Sequence, residues 1–149
     1  AVFLLIAELL RSDRLPPVTL AFLALNVALY LELFEDFNFP LSTVCISAYS
    51  ILNQKQWLRL IFSPFFHGDD WHLYYNMISF SVKGRSLEQR YGSFYFLILL
   101  IVFTISCSLG YVGIEYASYL FFKRHNFLDS CAVGFSGNLN LLAIIFKIF

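Results

Sequence analysis

The stretch SFYFLILLIVFTISCSLGYVGI, residues 93–114, decides the reading of this chain, because 22 consecutive positions from Ser93 to Ile114 carry no charge. As a helix rising 1.5 Å per residue it reaches roughly 33 Å, enough to cross the ~30 Å hydrocarbon core of a bilayer. The composition agrees. Of 149 residues, 59% are apolar and 13% charged, with 18 Phe, 9 Tyr and ten basic residues balancing ten acidic ones. A soluble domain carries about 25% charged residues. The balance excludes a disordered chain, a nucleic-acid binder held by phosphate contacts and a cysteine-stapled secreted module.

Working outward, three more apolar segments emerge. One opens at Pro16-Pro17, whose missing amide hydrogens and fixed φ suit a first helical turn, and runs over about 16–34 with Asn26 as its interior polar residue. A second covers about 71–84, less apolar and followed by Lys83, Arg85 and Arg90; its polar residues should face protein rather than lipid. The charge-free span itself extends over about 93–116, and a last segment starts near residue 134 and runs to 149. The expectation is an all-α polytopic membrane protein with three spans and the start of a fourth. The connection 35–70 is too rich in Phe, Leu and Ile for a solvated linker and is expected to fold as short amphipathic helices. Residues 1–10 are broken by Glu8 and lack a following small-residue cleavage site, so they read as an interfacial helix or the edge of something truncated upstream.

Basic residues are retained on the cytoplasmic side during insertion. The segment 83–92, with three basic residues and Glu88, is then cytoplasmic, and the loops 35–70 and 115–133 lie on the opposite, lumenal side. This topology brings the N-terminal ends of the second and fourth spans, with His72 and Ser136, to one membrane face.

Two constellations there could carry chemistry. In Gly134-Phe135-Ser136-Gly137 a Ser flanked by glycines stands at a loop-to-helix transition, where backbone can approach its hydroxyl and a helix N-terminus can face a developing oxyanion. Standing alone, small residues in a membrane helix more often serve close packing. Asn138 occupies the place of the second Gly of a hydrolase nucleophile elbow, so that pattern is excluded. In His72-Leu73-Tyr74-Tyr75-Asn76, imidazole and amide four residues apart share one helix face, and read as a structural pair or as two donors aimed at one site.

Trp57-Leu58-Arg59-Leu60, His67, the pair His72 and Asn76, Leu87-Glu88-Gln89-Arg90-Tyr91-Gly92-Ser93 and Gly134-Phe135-Ser136-Gly137 follow one another as in rhomboid intramembrane serine proteases. The resemblance covers about residues 16–137. It is strongest toward endoplasmic-reticulum members, through Pro16-Pro17-Val18-Thr19-Leu20, Asp69-Asp70-Trp71-His72-Leu73-Tyr74 and Ser130-Cys131-Ala132-Val133. It implies part of a six-helix bundle in the endoplasmic-reticulum membrane that cleaves transmembrane substrates near the lumenal face. Ser136 would be the nucleophile, with His72 and Asn76 in the oxyanion hole. Trp57, Arg59, His67, Glu88, Arg90, Gly134 and Gly137 would be structural. No cofactor or metal site is expected, and the partners are transmembrane proteins and the lipid bilayer, with no nucleic acid.

Departures are equally specific. The family's base is a His on a later helix, and this chain has only His67, His72 and His125, none after Ser136. His125, beside Lys123 and Arg124, reads as a solvated or interfacial residue. The chain therefore reads as C-terminally incomplete and inactive by itself. Asn140 stands where an aromatic is usual, and residues 138–149 are rich in Asn, Leu, Ile, Phe and Lys, so this tail reads as read-through of non-coding sequence or a misassembled gene model. A non-cleaving binder of transmembrane clients and an unrelated channel or transporter fragment are the competing readings. Cys45 and Cys131 fall in lumenal loops and could pair, Cys107 lies in a membrane helix, and free thiols are the favoured expectation.

Overall fold

Helix α2 (Pro17–Tyr30) starts where two adjacent prolines permit a first turn, with Pro16 extended at its N-cap. Neither proline can cap through its side chain, so the free amides of the turn need acceptors from elsewhere. Glu88 supplies them. Its carboxylate accepts from the Val18 amide (2.9 Å), the Thr19 amide (2.7 Å) and the Thr19 hydroxyl (2.7 Å), and also from Ser93 Oγ (2.7 Å). One buried side chain thus joins the start of α2 to the corner between α6 (Asp70–Tyr91) and α7 (Ser93–Phe122).

The structure is a computed structural model and describes residues 1–11, 14–34, 36 and 39–137. Among these residues the fold is all-α. Helix α1 (Val2–Arg11) precedes α2; α3 (Leu41–Val44), α4 (Ala48–Leu52) and α5 (Arg59–Phe62) follow it, and α8 (Asn126–Asp129) lies after α7. A 3₁₀ turn, Ser63–Phe65, follows α5. The first loop therefore folds as short helices, as expected, and α4 and α5 pack on α7 around Ile46, Ala48, Ile51, Leu60 and Val112. The main core gathers Leu23 of α2, Leu73, Met77, Phe80 and Leu87 of α6, and Phe96 and Leu100 of α7. Where α2 crosses α6, a Cβ on Gly84 would sit 3.1 Å from Thr19 Oγ1, a contact that only a shift of the Thr19 side chain by a few tenths of an ångström would relieve.

Helix α7 is long and apolar enough to cross a membrane, the one helix among the described residues that is. Phe94, Leu97, Ile98, Ile101, Val102 and Leu109 are exposed on its outer face, as lipid contact requires. Its buried face steps by four through Phe96, Leu100, Thr104, Ser108 and Val112.

Element boundaries differ from the sequence expectation at three places. Helix α7 continues past residue 116 to Phe122, so the connection that follows begins at Lys123, whose φ of 53° ends the helix. The segment 83–92 is helical up to Tyr91 and turns only at Gly92, where φ is 83°. Helix α2 stops at Tyr30 instead of about residue 34. Leu33 N–H donates to Ala28 O (3.0 Å) and Glu32 N–H to Leu29 O (3.2 Å), with Glu32 at φ 55°. This is a Schellman stop, usually marked by Gly; with Glu in that place the sequence carries no sign of it. Helix α1 lies along α6, with Leu5 in the core and Tyr74 Oη donating to Glu8. The fourth span over 134–149 and the tail 138–149 fall outside the described residues from residue 138 onward.

The expectation of free thiols at Cys45 and Cys131 is overturned, because the two form a disulfide with Cα atoms 5.5 Å apart. The reason is tertiary. Ile46 and Ala132 pair as an isolated antiparallel bridge through two backbone bonds of 2.9 Å, and each cysteine immediately precedes a bridged residue, within disulfide reach. Cys107 is free.

Candidate active site

Helix α6 opens with Asp69 as its N-cap, the carboxylate accepting from the His72 amide at 2.8 Å. That cap fixes the first turn, and hence the direction in which His72 and, one turn later, Asn76 project. Asn76 is buried and its Nδ2 has no hydrogen-bond partner, an unmade bond that a buried amide ordinarily avoids.

The segment from Cys131 to Gly137 comes to this same place. At Gly134 φ is 96°, and a Cβ there would lie 2.6 Å from His72 Cε1, 2.8 Å from His72 Nε2 and 3.5 Å from Asn76 Nδ2. Glycine is required twice over, by the left-handed backbone and by the imidazole. The Gly134 amide donates to Ser63 O at 3.0 Å. Phe135 is buried against Phe22 and Phe80, with ring centroids at 4.6 and 5.4 Å. With these neighbours pinned, the backbone becomes helical at Ser136, which is exposed. It borders a cavity of about 240 Å³ with Gly137, Ser63, Cys107, Ser108 and Tyr111. Gly137 faces Cys107 of α7 at ordinary contact distance.

The remaining sequence candidates surround this centre. His67 is buried, edge-on to His72 with ring centroids 5.2 Å apart. Arg59 donates from Nη1 to Ser42 O (3.0 Å) and Cys45 O (2.7 Å), holding the carbonyl end of α3, where a cation is favoured. Trp57 is exposed and makes no part of that anchor. Glu88 is the helix junction described above, at the far end of α6 from His72. Arg90 is exposed at the last turn of α6. His125 is exposed beside Tyr119, with ring centroids 5.2 Å apart. No group of His, Cys, Asp and Glu that could hold a metal ion occurs among the described residues.

Sequence reasoning missed the wall of the cavity. Cys107, Ser108 and Tyr111 sit inside a stretch read only as charge-free. A signal existed, because Thr104, Ser108 and Tyr111 recur every three or four residues and so share one face of α7. Ser63 gave no signal, since it contributes its backbone carbonyl.

Comparison with known proteins fits this arrangement. Residues 54–147 match the family described as Rhomboid domain. The chain is 41% identical over 133 residues to rhomboid-related protein 4 of Rattus norvegicus and to its namesake in Homo sapiens, covering 89% of this chain and 41% of each relative. It is 36% identical over 145 residues to rhomboid-like protein 14, mitochondrial, of Arabidopsis thaliana, covering 94% of this chain and 43% of that protein. The chain thus spans about two fifths of the length of these relatives. No solved structure matches. With a family match over well more than half its residues, and with the Gly134–Ser136 segment packed on His72 and Asn76, the chain belongs to the rhomboid family.

Proposed function

We propose that these residues form the nucleophile half of an intramembrane serine endopeptidase site. Ser136 Oγ attacks the scissile carbonyl of a membrane-spanning substrate, and the charge that develops on the carbonyl oxygen is held by the side chains of His72 and Asn76 together with the Ser136 amide. One observation carries this reading. The Asn76 amide is a buried donor without a partner, beside the backbone that leads into Ser136. A donor left unmade in the resting protein is available to an oxyanion that exists only during reaction. Cleavage takes place on the lumenal side of the membrane, opposite the basic end of α6, in the endoplasmic reticulum.

The hydroxyl proton needs an acceptor, and no His follows Ser136 in these 149 residues. A second reading, in which the protein holds transmembrane clients without cutting them, uses the same residues.

Cleavage of a single-span peptide in proteoliposomes by the cell-expressed protein containing these residues tests both. Ser136→Ala is expected to abolish cleavage, and His72→Ala or Asn76→Ala to lower it by ~10²–10³ each. Cleavage undiminished by Ser136→Ala overturns the nucleophile assignment. Peptide retention without cleavage by either form supports the second reading.

A further inference from the structure

Four supports hold residues 131–135 in place ahead of Ser136. They are the Cys45–Cys131 disulfide, the Ile46–Ala132 bridge, the bond from the Gly134 amide to Ser63 O, and the Phe135 ring in the core. The first three are anchored in the first loop. That loop is tied in turn by Arg59, whose guanidinium binds the carbonyl of Cys45 itself. Arg59, Cys45, Cys131 and the approach to Ser136 therefore form one continuous path, in which the disulfide is the single covalent link. The backbone pairing beside it is an isolated bridge without a neighbouring ladder, and so small a β-pairing is marginal in the absence of other restraint. The two ends of the disulfide also differ in access, Cys45 being buried and Cys131 exposed.

We propose that the Cys45–Cys131 disulfide is a redox-controlled brace, which clamps the segment ahead of Ser136 onto the first loop when oxidised and releases it from His72 and Asn76 when reduced. The proposal rests on reading Ser136, His72 and Asn76 as one site. The reductant is a soluble dithiol. Its thiolate attacks Cys131 Sγ, the exposed end; the S–S bond breaks, and Cys45 leaves as a thiolate that takes up a proton. The second thiolate of the reductant then closes on its own sulfur in the mixed disulfide, releasing Cys131 as a thiol. Two electrons and two protons pass from the dithiol, which becomes a cyclic disulfide, to the protein.

Two measurements on the full chain in proteoliposomes test the brace. In denaturant, maleimide located by peptide mapping is expected to label Cys107 but neither Cys45 nor Cys131 before dithiothreitol, and all three after it; labelling of Cys45 and Cys131 before reduction overturns the proposal. Hydrogen exchange in the peptide 131–137 is expected to rise about tenfold on reduction, and to be equally fast in Cys131→Ser without reductant, while exchange in 94–104 of α7 stays unchanged. Equal exchange in the oxidised and reduced wild type overturns the brace, and so does a matching rise in α7, which would make the bond a general staple. Neither readout involves hydrolysis, so failure of the Ser136 assignment and failure of the brace are distinguishable.

Discussion

At Gly134 a single hydrogen atom decides whether two segments meet. The positive φ strains any L side chain, and a Cβ would overlap the His72 ring. Gly134→Ala is therefore expected to lower stability by about 2 kcal/mol through backbone strain and displacement of the imidazole. A thermal unfolding series checks this, and an unchanged midpoint would contradict the packing. His67 behaves differently. Burial, reinforced by the neighbouring His72 ring, pushes its imidazole from the usual 6.5 down to about 4, against the opposing pull of the Phe65 backbone and the Asp69 carboxylate. The unfolded chain takes up a proton near pH 6.5 that the folded chain refuses until about pH 4. Stability is thus complete above pH 6.5 and declines as the pH falls toward 4, by about 3 kcal/mol at most. Unfolding midpoints measured between pH 7 and 4 should show this slope, and His67→Gln should flatten it.

Among the elements, the junction at Glu88 matters most for how α2, α6 and α7 are joined. Four donors converge on its carboxylate, two of them amides of the first turn of α2 that its prolines cannot satisfy. Removing the acceptor leaves buried donors unpaired, whereas an amide in its place keeps an oxygen for them. Glu88→Ala is expected to cost about 3 kcal/mol and Glu88→Gln markedly less, read as the shift in detergent-induced unfolding. The likeness of Glu88 and Arg90 to a family corner was legible in sequence. That Glu88 caps a helix some seventy residues earlier was not, because capping between elements leaves no local pattern. The end of α2 was hidden for a related reason, since its left-handed stop is taken by Glu32 rather than Gly.

For the molecule as a whole, orientation follows from sorting the charges. Lys83, Arg85 and Arg90 cluster near the C-terminal end of α6, while the first loop and Asp69 stand at its other end. With α7 crossing the bilayer, these ends are expected on opposite sides, the basic one in the cytoplasm. Cysteines introduced one at a time in a Cys107→Ser background, each label located by peptide mapping, test it. Ser86→Cys is expected to react with an impermeant maleimide from the cytoplasmic side only, and Gln54→Cys from the other side only. Swapped labelling would reverse the assignment of loops, and labelling of both from one side would overturn the crossing between them.

The sequence by itself determined that the chain is helical and contains a segment long and apolar enough to cross a membrane, because 22 uncharged positions in a row match the thickness of a bilayer core. It also offered Ser136, His72 and Asn76 as candidates, since residue type and spacing along the chain are local properties. Only the tertiary structure decided that Gly134 lies against His72, that Cys45 is bonded to Cys131 and that Glu88 caps α2. Each of these joins positions far apart in the chain, and their meeting depends on how α2, α6 and α7 pack, which no local pattern encodes.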